Sequence, residues 1–383
     1  MGPLQGVKVV EIASIGPGPW CAMMLSDMGA EVIRVDRADH VRNYVDGQPS
    51  VDFVIRRGRR SIGVDLKNPA GVEVVLRLVA QADALIEGSR PGVAERLGIG
   101  PDQCLRRNPR LVYGRMTGWG QEGPLAQEAG HDINYLALTG ALHSLGDADR
   151  PPPPPLNLIA DLGGGALYLT VGVLAALVHA RETGRGQTVD IAMVDGVTHL
   201  MSAFQAFRQQ RVWTDKRADN IVDGGAPFYG CYETADGKYL AVGAIEPHFY
   251  ANLLACMGLD PADLPGQNDR SAWPAMRERF TGVFRTRTRD EWVRTAAGRD
   301  ACLAPALSID EAPKHPHLQA RGAYVAFDEV THPSPAPRFG QTPSTLRRPA
   351  PPPGHDSRSA LAEWGLAPRD VEALEATRAM VQT

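Results

Sequence analysis

The chain has 383 residues, a formal net charge of −4 and a pI of about 6.2. A broad nucleic-acid-binding face usually makes a domain basic, so the charge argues against that class. Hydrophobic residues are 43% and charged residues 22%, enough apolar material for sizeable cores, and at about 150 residues per domain the length points to two or three of them.

Strand and helix signals alternate up to residue 115. Val7 to Ile12 (VKVVEI) is a short β-branched run, followed by Gly16-Pro17-Gly18-Pro19 and a helical stretch from Trp20 to Met28 closed by Gly29. Glu31 to Val35 (EVIRV) reads as a second strand, Pro69 to Ala82 has helical spacing, and Ala84 to Glu87 and Leu111 to Arg115 are strand-like. Strands separated by helices predict βαβ units and a parallel sheet, an α/β fold. Pro151 to Pro155 forces an extended segment. The apolar stretch 166–178 (ALYLTVGVLAALV) is too short to span a bilayer and reads as a buried helix, so no membrane is expected as a partner.

Gly184 to Gln187 predicts a turn and Val189 to Leu200 a helix. Asp223 to Pro227 reads as a boundary. Beyond it, Tyr229 to Glu233, Ala235-Asp236-Gly237 and Lys238 to Ala244 predict a hairpin with a D-G turn. Helices fill 248–300, and the proline-rich tract from Pro333 to Pro353 is expected to return over the surface. Five widely spaced cysteines without CxxC exclude a zinc site and a disulfide framework. Free thiols, no evident signal peptide and no peroxisomal S-K-L ending give a cytoplasmic expectation.

Gly16-Pro-Gly-Pro after a strand, with Asp36 about 20 residues on, mimics a dinucleotide fingerprint poorly. Cys21 takes the third glycine position, and Pro19 lacks the N–H that would approach a pyrophosphate. Arginines and a lysine cluster early: Arg34, Arg37, Arg56, Arg57, Arg59, Arg60, Lys67, Arg90 and Arg96. Forks of this kind near strand ends suit a small phosphorylated ligand better than a nucleic-acid strand. His131 sits in GHDINY, Asp161 in NLIADLGGG before the apolar helix, and Glu246 after a predicted strand. Taken singly they read as a structural histidine, an N-cap carboxylate and a loop carboxylate, and spacing alone does not bring them together.

Longer segments carry a resemblance. They are Gly16 to Pro19, Val35-Asp36-Arg37, Ser61 to Lys67, Gly88 to Gly92, Arg115 to Gln121, Gly130 to Tyr135, Asn157 to Gly165 and Asp223 to Pro227. Together they closely resemble the class III CoA-transferase family (CaiB/BaiF type), and within it the α-methylacyl-CoA racemase branch. The likeness runs from about Pro3 to Phe339.

The resemblance implies a large α/β domain with a Rossmann-like core of six parallel strands, a smaller α+β domain, and an interlocked homodimer with its site between the large domain of one subunit and the small domain of the other. The expected segments are 1–200 for the large CoA-binding domain, 201–224 for a linker, 225–325 for the small domain, and 326–383 for a return linker and a C-terminal segment packing on the large domain. It implies a racemase that inverts 2-methylacyl-CoA thioesters through an enolate, with His131 on the (S) face and Asp161 on the (R) face. Glu246 would fix the His131 tautomer. Arg37, Arg57, Lys67, Arg90 and Arg96 match positions that resemble the CoA-binding surface, with Tyr135 and Asn157 behind the catalytic pair. Backbone N–H groups around Gly163 to Gly165 would hold the enolate oxygen. No metal and no separate cofactor are implied, CoA being part of the substrate. The alternatives are a CoA-transferase with Asp161 as nucleophile and a non-catalytic CoA-binding subunit.

Overall fold

The computed structural model describes residues 2–45 and 53–383. The described chain forms two compact units, one from residues up to 139, 155–200 and 324–383, the other from 140–154 and 201–323.

In the first unit, six strands are parallel: β1 (Lys8–Ile12), β2 (Glu31–Arg37), β3 (Arg60–Val64), β4 (Ala84–Glu87), β5 (Val112–Thr117) and β6 (Gln187–Ala192). Their order across the sheet is β3-β2-β1-β4-β5-β6. A last short strand, Met380–Val381, adds antiparallel to the β3 edge. β3, β4 and β5 are buried along their whole length, as expected for parallel strands covered on both faces.

The helices of this unit include α1 (Pro17–Asp27), α2 (Pro69–Val79), α3 (Asp132–Leu138), α4 (Tyr168–Thr183) and α5 (Met193–Leu200). α2 begins with Pro69 behind an Asn68 cap whose side chain accepts from the Ala70 N–H. Residues Leu158–Leu167 form a π-helical segment that runs straight into α4. The helical run is therefore longer than the apolar stretch read from sequence. Over Leu158–Thr183 it has the length and hydropathy that could cross a membrane, with 39% of its most apolar window buried. Leu169, Val173, Ala176 and Leu177 supply its buried face.

Two local expectations are corrected. Val189 to Leu200 is not one helix: the first part is the edge strand β6, paired with β5 from Gln187 to Ala192, and only the rest is helical. The alternation Val189-Asp190-Ile191 carries a strand period that the apolar residues after it obscured. The run Arg56 to Arg60 is not a set of ligand-facing forks either. Arg56, Arg57, Arg59 and Arg60 are all buried. Arg59 meets Glu11 at 2.7 Å, and Glu11 also takes Arg34 at 2.6 Å; Arg57 is held by Asp27; Arg60 pairs with Glu31 and with Glu363. Their carboxylate partners lie far away in sequence, so the run looks solvated when read alone.

The tail packs on this unit. Asp356 accepts from the Ser61 N–H, Ser357 Oγ from the Gly63 N–H, and Arg347 donates to the Ser26 and Ala30 carbonyls.

In the second unit, β7 (Tyr229–Glu233), β8 (Tyr239–Gly243) and β9 (Leu303–Ala306) form an antiparallel sheet, with the D-G turn between the first two. Helices α6 (Pro247–Met257), α7 (Trp273–Phe284) and α8 (Arg289–Ala296) surround an aromatic core that includes Phe228, Tyr232, Phe280, Phe284 and Trp292.

Candidate functional site

β1 lies between β2 and β4, so the strand order reverses there and a crevice opens at the carboxyl ends of the strands. The loops leaving β1 (Ile15 to Pro17), β4 (Gly88 to Pro91) and β5 (Met116 to Trp119) line a cavity of about 480 Å³ in the first unit. Its remaining wall holds His131, Tyr135, Asn157, Asp161 and Met193. Residues distant in the chain thus reach one chamber because three parallel strands end beside each other.

His131 precedes α3 as its N-cap, and its N–H donates to Asn134 Oδ1 at 3.0 Å. The next residue, Asp132, is buried and turns inward. Its Oδ2 accepts from the N–H of Ala160 and from the N–H of Asp161, each at 2.8 Å. This carboxylate ties the His131 segment to the start of the π-helix. Asp132 was not singled out in the sequence. The signal was an acidic residue in the first turn of a helix, a pattern too common to assign a role.

Asp161 is partly buried, and burial pushes its carboxyl above the usual range. An Asn157 Nδ2 hydrogen bond at 3.3 Å and the His131 side chain oppose the shift, while the Asp132 charge adds to it. Tyr135 is buried, donates to the Gly130 carbonyl, and meets Trp119 edge to face with ring centroids 4.7 Å apart. Its hydroxyl is also pushed up, chiefly by burial, then by Asp161, with Arg90 acting the other way. Gly16 has φ +70°, and a Cβ there would stand 3.6 Å from Asp161 Oδ2.

The glycines after Asp161 answer to packing. A Cβ at Gly196 would lie 1.9 Å from the Gly164 carbonyl oxygen, so α5 and the π-helix touch backbone to backbone. The helix starts at Leu158, ahead of Asp161 rather than behind it, with Asn157 at the N-cap. In a π-helix the N–H groups of Gly163 to Gly165 bond five residues back, which removes them as the expected enolate-oxygen donors.

The cationic candidates separate. Arg90 is exposed and lines the cavity. Arg37, Lys67 and Arg96 are exposed but do not line it, and Arg37 is paired with Asp39. Arg57 is buried against Asp27, with further bonds toward the Pro333 carbonyl and His332, so its guanidinium is spent inside the fold. Glu246 occupies the N-cap position of α6, its side chain exposed and without a capping bond, in the second unit. Among the described residues no group of three or more His, Cys, Asp or Glu side chains has metal-binding geometry.

Known proteins resemble this chain along nearly its whole length. The sequence pattern of CoA-transferase family III fits residues 4–357. The α-methylacyl-CoA racemase of Mus musculus is 43% identical over 379 residues, spanning 98% of this chain and 97% of the mouse protein. The Homo sapiens α-methylacyl-CoA racemase is 41% identical over 378 residues, with 98% and 97% covered. The crystal structure of a CaiB/BaiF family protein from Brucella suis superposes with a TM-score of 0.81 at 27% identity, covering 95% of this chain and 99% of that one.

Proposed function

The chain belongs to CoA-transferase family III, and on that footing we propose that it is an α-methylacyl-CoA racemase, interconverting (R)- and (S)-2-methylacyl-CoA by 1,1-proton transfer. The observation that carries this reading is that His131 and Asp161 line one cavity at the reversal point of the sheet. The whole-length similarity to two racemases supports it. The transferase alternative has weaker support: the succinate–glutarate CoA-transferase of Agrobacterium fabrum is 32% identical over 391 residues.

An α-proton beside a thioester is weakly acidic, so a base must take it while the enolate is held. One group removes the proton from one face; the other, protonated, returns one to the opposite face, and the centre inverts. His131 serves the (S) face and Asp161 the (R) face. A carboxyl group with a raised proton affinity suits this exchange, because it must also act as an acid. Asn157 orients Asp161. Arg90, at the cavity wall, binds a CoA phosphate, and Arg37, Lys67 and Arg96 extend that surface. The reaction needs only protons moved between side chains and carbon. Glu246 hydrogen-bonds His131 in a homodimer, where the small domain of one subunit meets the large domain of the other. Exposed apolar residues of the first unit, Leu138, Leu158, Val171, Val178 and Leu200, supply a surface suited to such pairing. The free cysteines fit a reducing cytoplasm.

The test is deuterium wash-in. Each enantiomer of a 2-methylacyl-CoA incubated with the protein in D₂O should exchange its α-hydrogen and move toward a racemic mixture. No exchange from either enantiomer overturns the proposal.

A further inference from the structure

We propose that Asp132 is the positioning residue of this site, its carboxylate holding Asp161 in place relative to His131 and keeping a negative charge beside it. The inference deepens the racemase reading and rests on it. Asp132 follows His131 directly in the chain and does not itself line the cavity. Through one oxygen it accepts from the N–H groups of Ala160 and Asp161, both at 2.8 Å. A single side chain therefore links the two segments that carry the proton-transfer groups.

The local chemistry explains the bonds. Ala160 and Asp161 lie in the first turn of the π-helix that begins at Leu158, where N–H groups have no acceptor within the helix. A carboxylate there satisfies two of them and complements the positive end of the helix dipole. It does not explain why the residue carries a charge. Asp132 is buried, and its Oδ1 has no hydrogen-bond partner among the described residues. A buried acceptor left unsatisfied is costly. A neutral side chain with one carbonyl oxygen would make the same two bonds. What only the charge supplies is its action on Asp161, where it favours the protonated carboxyl that the acid role needs. The groups acting on Asp161 are Asn157 on its own helix, and Asp132 and His131 from the α3 side with Tyr135 next to them. Of these, Asp132 contributes the like charge.

The experiment uses the full-length protein and three readouts: α-hydrogen exchange of both 2-methylacyl-CoA enantiomers against pH, thermal unfolding, and carboxyl ¹³C NMR titration of Asp161 without substrate. In Asp132→Asn, whose carbonyl oxygen can keep both N–H bonds, kcat for exchange should fall about 10- to 100-fold, because the charge that keeps Asp161 protonated for its acid role is gone. KM should change by less than about twofold, since no substrate contact is removed. The Asp161 midpoint, and the acid limb of the reaction it begins, should move to lower pH, because the neighbouring negative charge is gone. Asp132→Glu keeps the charge one methylene away, so it should retain the Asp161 midpoint while losing kcat.

An unchanged kcat in either variant overturns the proposal. So does a loss of kcat in Asp132→Asn that follows the fall in Tm while the Asp161 midpoint stays put. If Asp132→Asn does not fold, Asp132→Glu decides alone by its kcat. If the wild-type protein exchanges neither enantiomer, the racemase reading fails, and the NMR midpoint still decides whether Asp132 acts on Asp161.

Discussion

Arg57 closes on Asp27 through two hydrogen bonds, Nη2 to Oδ2 at 2.7 Å and Nε to Oδ1 at 3.2 Å, with both side chains almost fully buried. Removing one partner of such a pair strands the other charge. Arg57→Ala should therefore cost about 3 kcal/mol in denaturant unfolding. Burial already pushes the Asp27 carboxyl up and Arg57 holds it down, so the variant should take up a proton at Asp27. The KM for acyl-CoA in the folded fraction should stay at the wild-type value. A raised KM without lost stability would return Arg57 to the ligand surface.

Arg90 makes the opposite case. It is exposed and lines the cavity, so Arg90→Ala should leave Tm unchanged. Loss of a charge-assisted bond to a CoA phosphate should raise KM about tenfold, with little change in kcat. An unchanged KM would remove Arg90 from that role.

The two proton-transfer groups should be separable by enantiomer. His131→Ala should lower exchange from the (S) substrate more than from the (R) substrate, and Asp161→Ala the reverse, each by about 10²- to 10⁴-fold in its own direction. Equal losses from both substrates in both variants would refute the assignment of faces.

Asp161 also sets a pH dependence with a definite sign. Its carboxyl lies above the ordinary value of about 3.9, because burial disfavours the ionised form. When Asp161 acts as the base it must be ionised. Exchange beginning from the (R) substrate should then fall as pH drops through a midpoint higher than an ordinary aspartate shows. A pH–rate profile of kcat/KM flat to the ordinary range would contradict this.

Gly16 tests the turn that borders the site. Its φ of +70° disfavours any side chain, and an added methyl would sit 3.6 Å from Asp161 Oδ2. Gly16→Ala should cost about 1 to 2 kcal/mol through backbone strain and lower kcat as the strained turn shifts the cavity wall beside Asp161. Unfolding and exchange measured on the same sample would show both.

Several elements were legible in the sequence because their signals are local. The β-branched runs at β1, β2 and β4 and the D-G hairpin of β7 and β8 are read from neighbouring residues, and the structure places them within a residue or two. The motif types were legible for the same reason: GHDINY and NLIADLGGG carry their chemistry in contiguous letters. β6 was not, because its strand period runs into a helix without a break, and pairing with β5 settles it. The C-terminal strand Met380–Val381 has too few residues to announce itself, and exists because the β3 edge offers it partners.

The residues by themselves determined which chemical groups this protein has at its disposal: an imidazole, a carboxyl group, many guanidinium groups and glycines where backbones must touch. Tertiary structure decided which of them meet. It brought His131 and Asp161 to one cavity, spent Arg57 on Asp27, left Arg90 in the wall, and set Asp132 between two segments about 30 residues apart in the chain. The reason is that periodicity and turn chemistry act over a few residues, whereas burial of a charge depends on a partner whose position is fixed only when the sheet closes.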